Sequence, residues 1–154
     1  MHLQEARYAE ASIICFHRYG TLTQSSGDME HRHWLEPSSL AVIVERSLRV
    51  YEQSPRKIDF FHCPVPKSAI ENLDNYLAPL AELIPKFREH GTELYLGVVH
   101  ENNAGMTKKM IDAAGKVLGD FPFGVATECG WGRTEAMEIE DIMRISTEVS
   151  EPVL

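Results

Sequence analysis

Four short apolar runs that lack inward–outward alternation constrain this chain more than any other feature. They span residues 11–16 (ASIICF), 58–63 (IDFFHC), 93–99 (ELYLGVV) and 123–127 (FGVAT). A strand with one wet face carries a polar residue at every second position. Runs without that pattern are expected to be strands covered on both faces, as in parallel sheets. Each run is followed by a stretch of helical period. Leu40, Ile43, Val44, Leu48 and Tyr51 share a face over 38–52, with Pro37 ahead of it and Ser38 or Ser39 as cap. Tyr76, Leu77, Leu80, Leu83, Ile84 and Phe87 do so over 75–90. Pro79 lies near the first turn of that stretch, Pro85 is expected to kink or split it, and Gly91 is placed to stop it. Met106, Met110, Ala113, Ala114 and Val117 line 104–118 before Gly119. Ile139, Ile142, Met143, Ile145 and Val149 line 138–149, where Glu138, Glu140 and Asp141 suit the positive helix start. Met106, Met110, Met137 and Met143 read as core.

The order is therefore β-α-β-α-β-α-β-α, which predicts an α/β fold with a parallel sheet. No GxGxxG follows any strand, so a dinucleotide-binding sheet lacks its fingerprint. The alternative is a barrel. Four βα units are half of a TIM (β/α)8-type barrel, whose full length is about 250 residues. The 154 residues are read as one domain, 1–154, forming such a half barrel.

Chemistry-bearing residues fall at the ends of the runs. The first leads into Cys15-Phe16-His17-Arg18-Tyr19-Gly20 and the second into His62-Cys63-Pro64. The third leads into His100-Glu101-Asn102-Asn103, and the fourth into Glu128-Cys129-Gly130-Trp131-Gly132-Arg133. In a parallel α/β fold these ends share one rim, where active sites are built. Imidazole and thiolate are ligand types that Zn²⁺ prefers, which makes His17, His62 and Cys129 candidate metal ligands. Arg18 and Arg133 can hold a carboxylate, Trp131 can stack on a substrate, and His100 and Glu128 can move protons. Each has a plainer reading: rim histidines held by hydrogen bonds, small buried cysteines, a tryptophan plugging the mouth, surface ion pairs. Cys15 and Cys63 read as buried apolar residues. His31 and His33 read as solvated loop histidines.

The net charge of −8, from 23 acidic and 15 basic residues, opposes a phosphate backbone, so no nucleic-acid partner is expected. Three widely spaced cysteines without a CxxC suggest a reducing compartment. The polar start MHLQEARYAE shows no signal-peptide pattern, and no apolar stretch approaches a membrane span. A cytoplasmic protein without membrane contact is expected.

Several stretches resemble a known family. They are 57–66 (KIDFFHCPVP), 92–100 (TELYLGVVH), 123–133 (FGVATECGWGR), and 17–20 with 27–33 and 36–37 (HRYG, GDMEHRH, EP). In order, and over nearly the whole chain, they are similar to proteins of the cobalamin-independent methionine synthase-like kind, within the uroporphyrinogen decarboxylase and methionine synthase-like barrel superfamily. The resemblance implies the C-terminal half of a barrel and a methyltransferase of methionine biosynthesis. Such an enzyme passes a methyl group from a folate donor to a zinc-activated, homocysteine-like thiol. Cys129 in Glu-Cys-Gly matches the last cysteine ligand of the synthase, and Glu128 the acidic residue that contacts the substrate. The first strand departs from the pattern: Phe16-His17-Arg18 stands where His-x-Cys is expected, with Arg18 in the cysteine's place. Phe61-His62 stands where a glutamate ligand is expected. An arginine at a ligand position repels a cation and favours an anionic group, so a metal-free lyase or decarboxylase of the same superfamily is the alternative. A non-catalytic half-barrel subunit is a third reading. Since four units cannot close a barrel, a homodimer or a separate N-terminal half is the expected partner, alongside a small-molecule substrate.

Overall fold

The computed structural model describes residues 13–15, 37–128 and 134–150, the first three by their backbone alone. The elements are β1 (Ile13–Cys15), α1 (Ala41–Gln53), β2 (Phe60–Pro64), a 3₁₀ turn (Lys67–Asn72), α2 (Leu73–Leu77), a second 3₁₀ turn (Ala78–Leu83), α3 (Ile84–His90), β3 (Glu93–Val99), α4 (Ala104–Leu118), β4 (Phe123–Thr127) and α5 (Ala136–Val149). The fold is α/β. The strands form one sheet in the order β1-β2-β3-β4 and every pairing is parallel.

Sequential order with parallel pairing requires each connection to cross the sheet in the same sense, which puts the helices on one face. The burial pattern agrees. Phe61 and Cys63 of β2 and Leu94, Leu96 and Val98 of β3 pack with Ile43 and Val44 of α1, with Leu77, Leu80, Leu83 and Phe87, and with Met110, Ala113 and Ala114 of α4. A second cluster joins Val99 to Ile142 and Ile145 of α5, and Val125 of β4 packs against both. The other sheet face carries Phe60, His62, Tyr95, Gly124 and Ala126, all partly exposed. Tyr95 lies edge-on to Phe60 and donates a hydrogen bond to Glu93.

Strands β3 and β4 and helix α4 have the bounds expected from sequence. Strand β2 begins two residues later than expected and takes in Pro64, whose missing N–H is harmless at a strand end. The helical stretch expected over 75–90 does split at Pro85, but it begins at Lys67 and comprises four short pieces, with Pro79 and Pro85 each in a first turn, where proline is tolerated. Gly91 stops α3 in the left-handed region, at φ 62°. Ser39 accepts a hydrogen bond from the Ala41 N–H at 3.3 Å, although Leu40 holds the N-cap position. Met110 is core and Met106 packs against it, but Met137 and Met143 are 84% and 54% exposed, which corrects the reading of all four as core. The buried stripe of α5 runs through Ile142 and Ile145. Met143 lies on its flank, and Met137 sits in the first turn, ahead of the buried stripe.

Candidate functional site

The rim at the C-terminal ends of β2, β3 and β4 brings His62, His100 and Glu128 to the side of the sheet away from the helices. His62 arrives there by strand alternation, since its neighbours Phe61 and Cys63 face the helices. His100 arrives through an irregularity. Gly97 pairs with Ala126 and Val99 with Thr127, so two steps on β3 oppose one on β4. Without this bulge, His100 would fall on the helix face. With it, His100 falls beside Glu128, the usual way a bulge re-aims a side chain near a site. The Thr107 hydroxyl, fully buried on α4, accepts the His100 backbone N–H at 3.3 Å and so holds the re-aimed residue.

The chemistry of both histidines is set by backbone carbonyls. His62 Nε2 lies 3.0 Å from the Thr127 oxygen, and His100 Nε2 lies 3.0 Å from the Val65 oxygen. A carbonyl oxygen only accepts, so each ring carries its proton on Nε2 and donates it. In neutral His100 this puts a lone pair on Nδ1, which stands 4.0 Å from Glu128 Oε2. His100 is 2% exposed and the Glu128 side chain 15%. The 4.0 Å separation is an ion-pair distance rather than a hydrogen bond, and it sets an imidazole nitrogen beside a carboxylate oxygen in a site largely closed to water.

Two further charged residues complete the rim. Lys67, after β2, pairs with Glu101, after β3. Burial pushes the Glu101 carboxyl up. The Lys67 hydrogen bond, the residue's own backbone N–H and the charges of Lys67 and His100 outweigh it, and the carboxyl is held below its ordinary value of 4.5. Asn102 follows in the left-handed region at φ 56°, a conformation asparagine tolerates, and its N–H donates to Asp141 of α5 at 2.6 Å. Asn103 then caps α4 by accepting the Met106 N–H at 3.0 Å. The loop bearing His100 and Glu101 is thus tied to β2, α4 and α5.

Of the residues named from sequence, His62, His100 and Glu128 come together on this rim. His17, Arg18, Cys129, Trp131 and Arg133 lie outside the described residues, as do His31 and His33. Cys63 is buried, as expected of an apolar cysteine. Among the described residues no three His, Cys, Asp or Glu side chains form a metal-sized group. His62 is the one proposed zinc ligand among the described residues, and its Nε2 is committed to a carbonyl. Sequence reasoning placed Glu101 in the run after β3 without giving it a role, and missed Lys67, Thr107 and Gly97. Only Gly97 carried a signal, since glycine inside a strand often marks a close approach of backbone.

Comparisons with protein-family models, with curated proteins and with solved structures return no match. No described helix is long and apolar enough to cross a membrane.

Proposed function

We propose that the chain is the C-terminal half of a (β/α)8-type barrel and acts as a methionine synthase-like methyltransferase, moving a methyl group to a thiol of homocysteine type. The observation that carries this reading is the buried His100–Glu128 pair at the C-terminal rim, with His100 locked as a donor to Val65 and its second nitrogen turned to the carboxylate. Thiol methylation begins with loss of the S–H proton. The pair takes that proton, the thiolate sulfur bonds the methyl carbon, the donor's bond to that carbon breaks, and the proton passes to the donor's leaving atom. Trp131 and Arg133, with Arg18, would hold the substrate, and a folate would be the methyl donor. Zinc, if held by His17, His62 and Cys129, would supply a thiolate stabilised at neutral pH. The reading places the enzyme in the cytoplasm as a homodimer or with a separate half barrel.

The same pair favours a second reading. A decarboxylase needs a buried acid to protonate the carbanion left when CO₂ departs, with Arg18 and Arg133 clamping carboxylates. The test is transfer of a methyl group from methyltetrahydrofolate to homocysteine by the full chain and by Glu128→Gln and His100→Gln, with zinc measured in the wild type and in Cys129→Ser. The proposal expects each rim variant to lose about 10²-fold or more in kcat while its circular dichroism is unchanged. It also expects zinc to be lost from Cys129→Ser. Rim variants as active as wild type would overturn the role of the pair. Protein free of zinc and inactive on thiols would favour the decarboxylase reading. Absence of both activities would favour a non-catalytic subunit.

A further inference from the structure

His62 is on β2 and Thr127 on β4, with β3 between them, yet the imidazole Nε2 lies 3.0 Å from the Thr127 oxygen. The contact passes over β3 at Gly97. A Cβ at Gly97 would stand 2.8 Å from the Thr127 oxygen, 2.9 Å from Glu128 Cα and 3.0 Å from Pro64 Cα. All three are backbone atoms, which cannot rotate away. The bulge that begins at Gly97 supplies the bend.

We infer that Gly97 is the positioning residue of the rim: its bare face is the seat across which the Thr127–Glu128 peptide lies, and that seat brings the Thr127 carbonyl to His62 and the Glu128 carboxylate to His100. Gly124, on the same sheet face, supplies the contrast. A Cβ there would come within 2.5 Å of Tyr95 Cδ1 and Cε1, ring atoms of a partly exposed side chain that can swing aside. The two strand glycines thus differ in kind, one seating a backbone and the other a ring.

The inference deepens the functional reading above, but its test needs no substrate, so the two can fail separately. The imidazole N–H signals of the ¹⁵N-labelled full chain are followed in the wild type, Gly97→Ala, Gly124→Ala and Glu128→Gln. In Gly97→Ala the His62 Nε2–H should lose its acceptor and exchange with solvent at least about tenfold faster. The His100 Nε2–H should persist, because its acceptor Val65 lies on the β2 side. The His100 Nδ1 nitrogen should shift in the same direction as in Glu128→Gln, and Gly124→Ala should leave both rings as in the wild type. A merely structural role for Gly97 would move both ring protons or neither, and either result overturns the inference. If Gly97→Ala does not fold, the wild type decides. A strong cross-peak between Gly97 Hα and Glu128 Hα upholds the seat, and its absence overturns it.

Discussion

Two backbone carbonyls decide what the rim histidines can do. By accepting Nε2–H from His62 and His100, Thr127 and Val65 fix the tautomer of each ring and aim the other nitrogen. The nearby Lys67–Glu101 pair gives a pH dependence with a definite sign. Glu101 is held below its ordinary value of 4.5, so it favours the folded state above that pH. Its contribution fades as the pH falls through 4.5 toward the lower folded value. Lys67→Met should therefore cost about 0.5 kcal/mol at neutral pH, a modest figure because the lysine is half exposed. It should also flatten the acid limb of a plot of urea-unfolding free energy against pH. An unchanged acid limb would remove the pair from the balance. His62, His100 and Glu128 were legible from sequence because their types are unusual at strand ends. Thr107 and Lys67 were not, because a hydroxyl in a helix and a lysine in a loop look like any others until the bulge places His100 against one and Glu101 beside the other.

At the scale of elements, period and punctuation carried the reading. Helix α4 had the expected bounds because a long apolar stripe ends at Gly119, and β3 and β4 because short apolar runs stand between turn signals, although β4 is only partly buried and one sheet face stays partly exposed rather than covered as expected. The cap was less visible: Asn103 serves α4 only because Asn102 turns the chain through the left-handed region first. Asn103→Ala should destabilise the protein by about 1 kcal/mol, read as a lower urea midpoint at constant slope. Asn103→Ser should recover most of that loss. The split of 75–90 at Pro85 was legible from the proline, but the 3₁₀ turns and the start at Lys67 were not, because the apolar positions of 75–83 fit a regular helix. The proline rings and the packing of Leu77, Leu80, Leu83 and Phe87 break that continuity. Met137 and Met143 misled for a related reason: helical spacing reports a stripe but does not say which edge of it meets the sheet.

At the scale of the molecule, the described helices pack on one face of a parallel sheet, and the opposite face carries Phe60, Tyr95 and small residues that remain partly exposed. In the half-barrel proposal that face is lined by a second half. Size-exclusion chromatography with light scattering should then show a particle of twice the 17.4 kDa chain mass. Tyr95→Arg, which puts a charge on that face, should shift it to the monomer. A monomer at every concentration would remove the homodimer. The central claim is narrower: parallel strands β2, β3 and β4 deliver two histidines and a glutamate to one rim. Long-range cross-peaks in a carbon-edited NOE spectrum of the wild-type chain test it most directly. The His62 ring should contact Thr127 and the His100 ring should contact both Val65 and Glu128, with Leu96 flanked by Cys63 and Val125. Antiparallel cross-peaks between these strands, or a His100 ring that contacts neither Val65 nor Glu128, would contradict it.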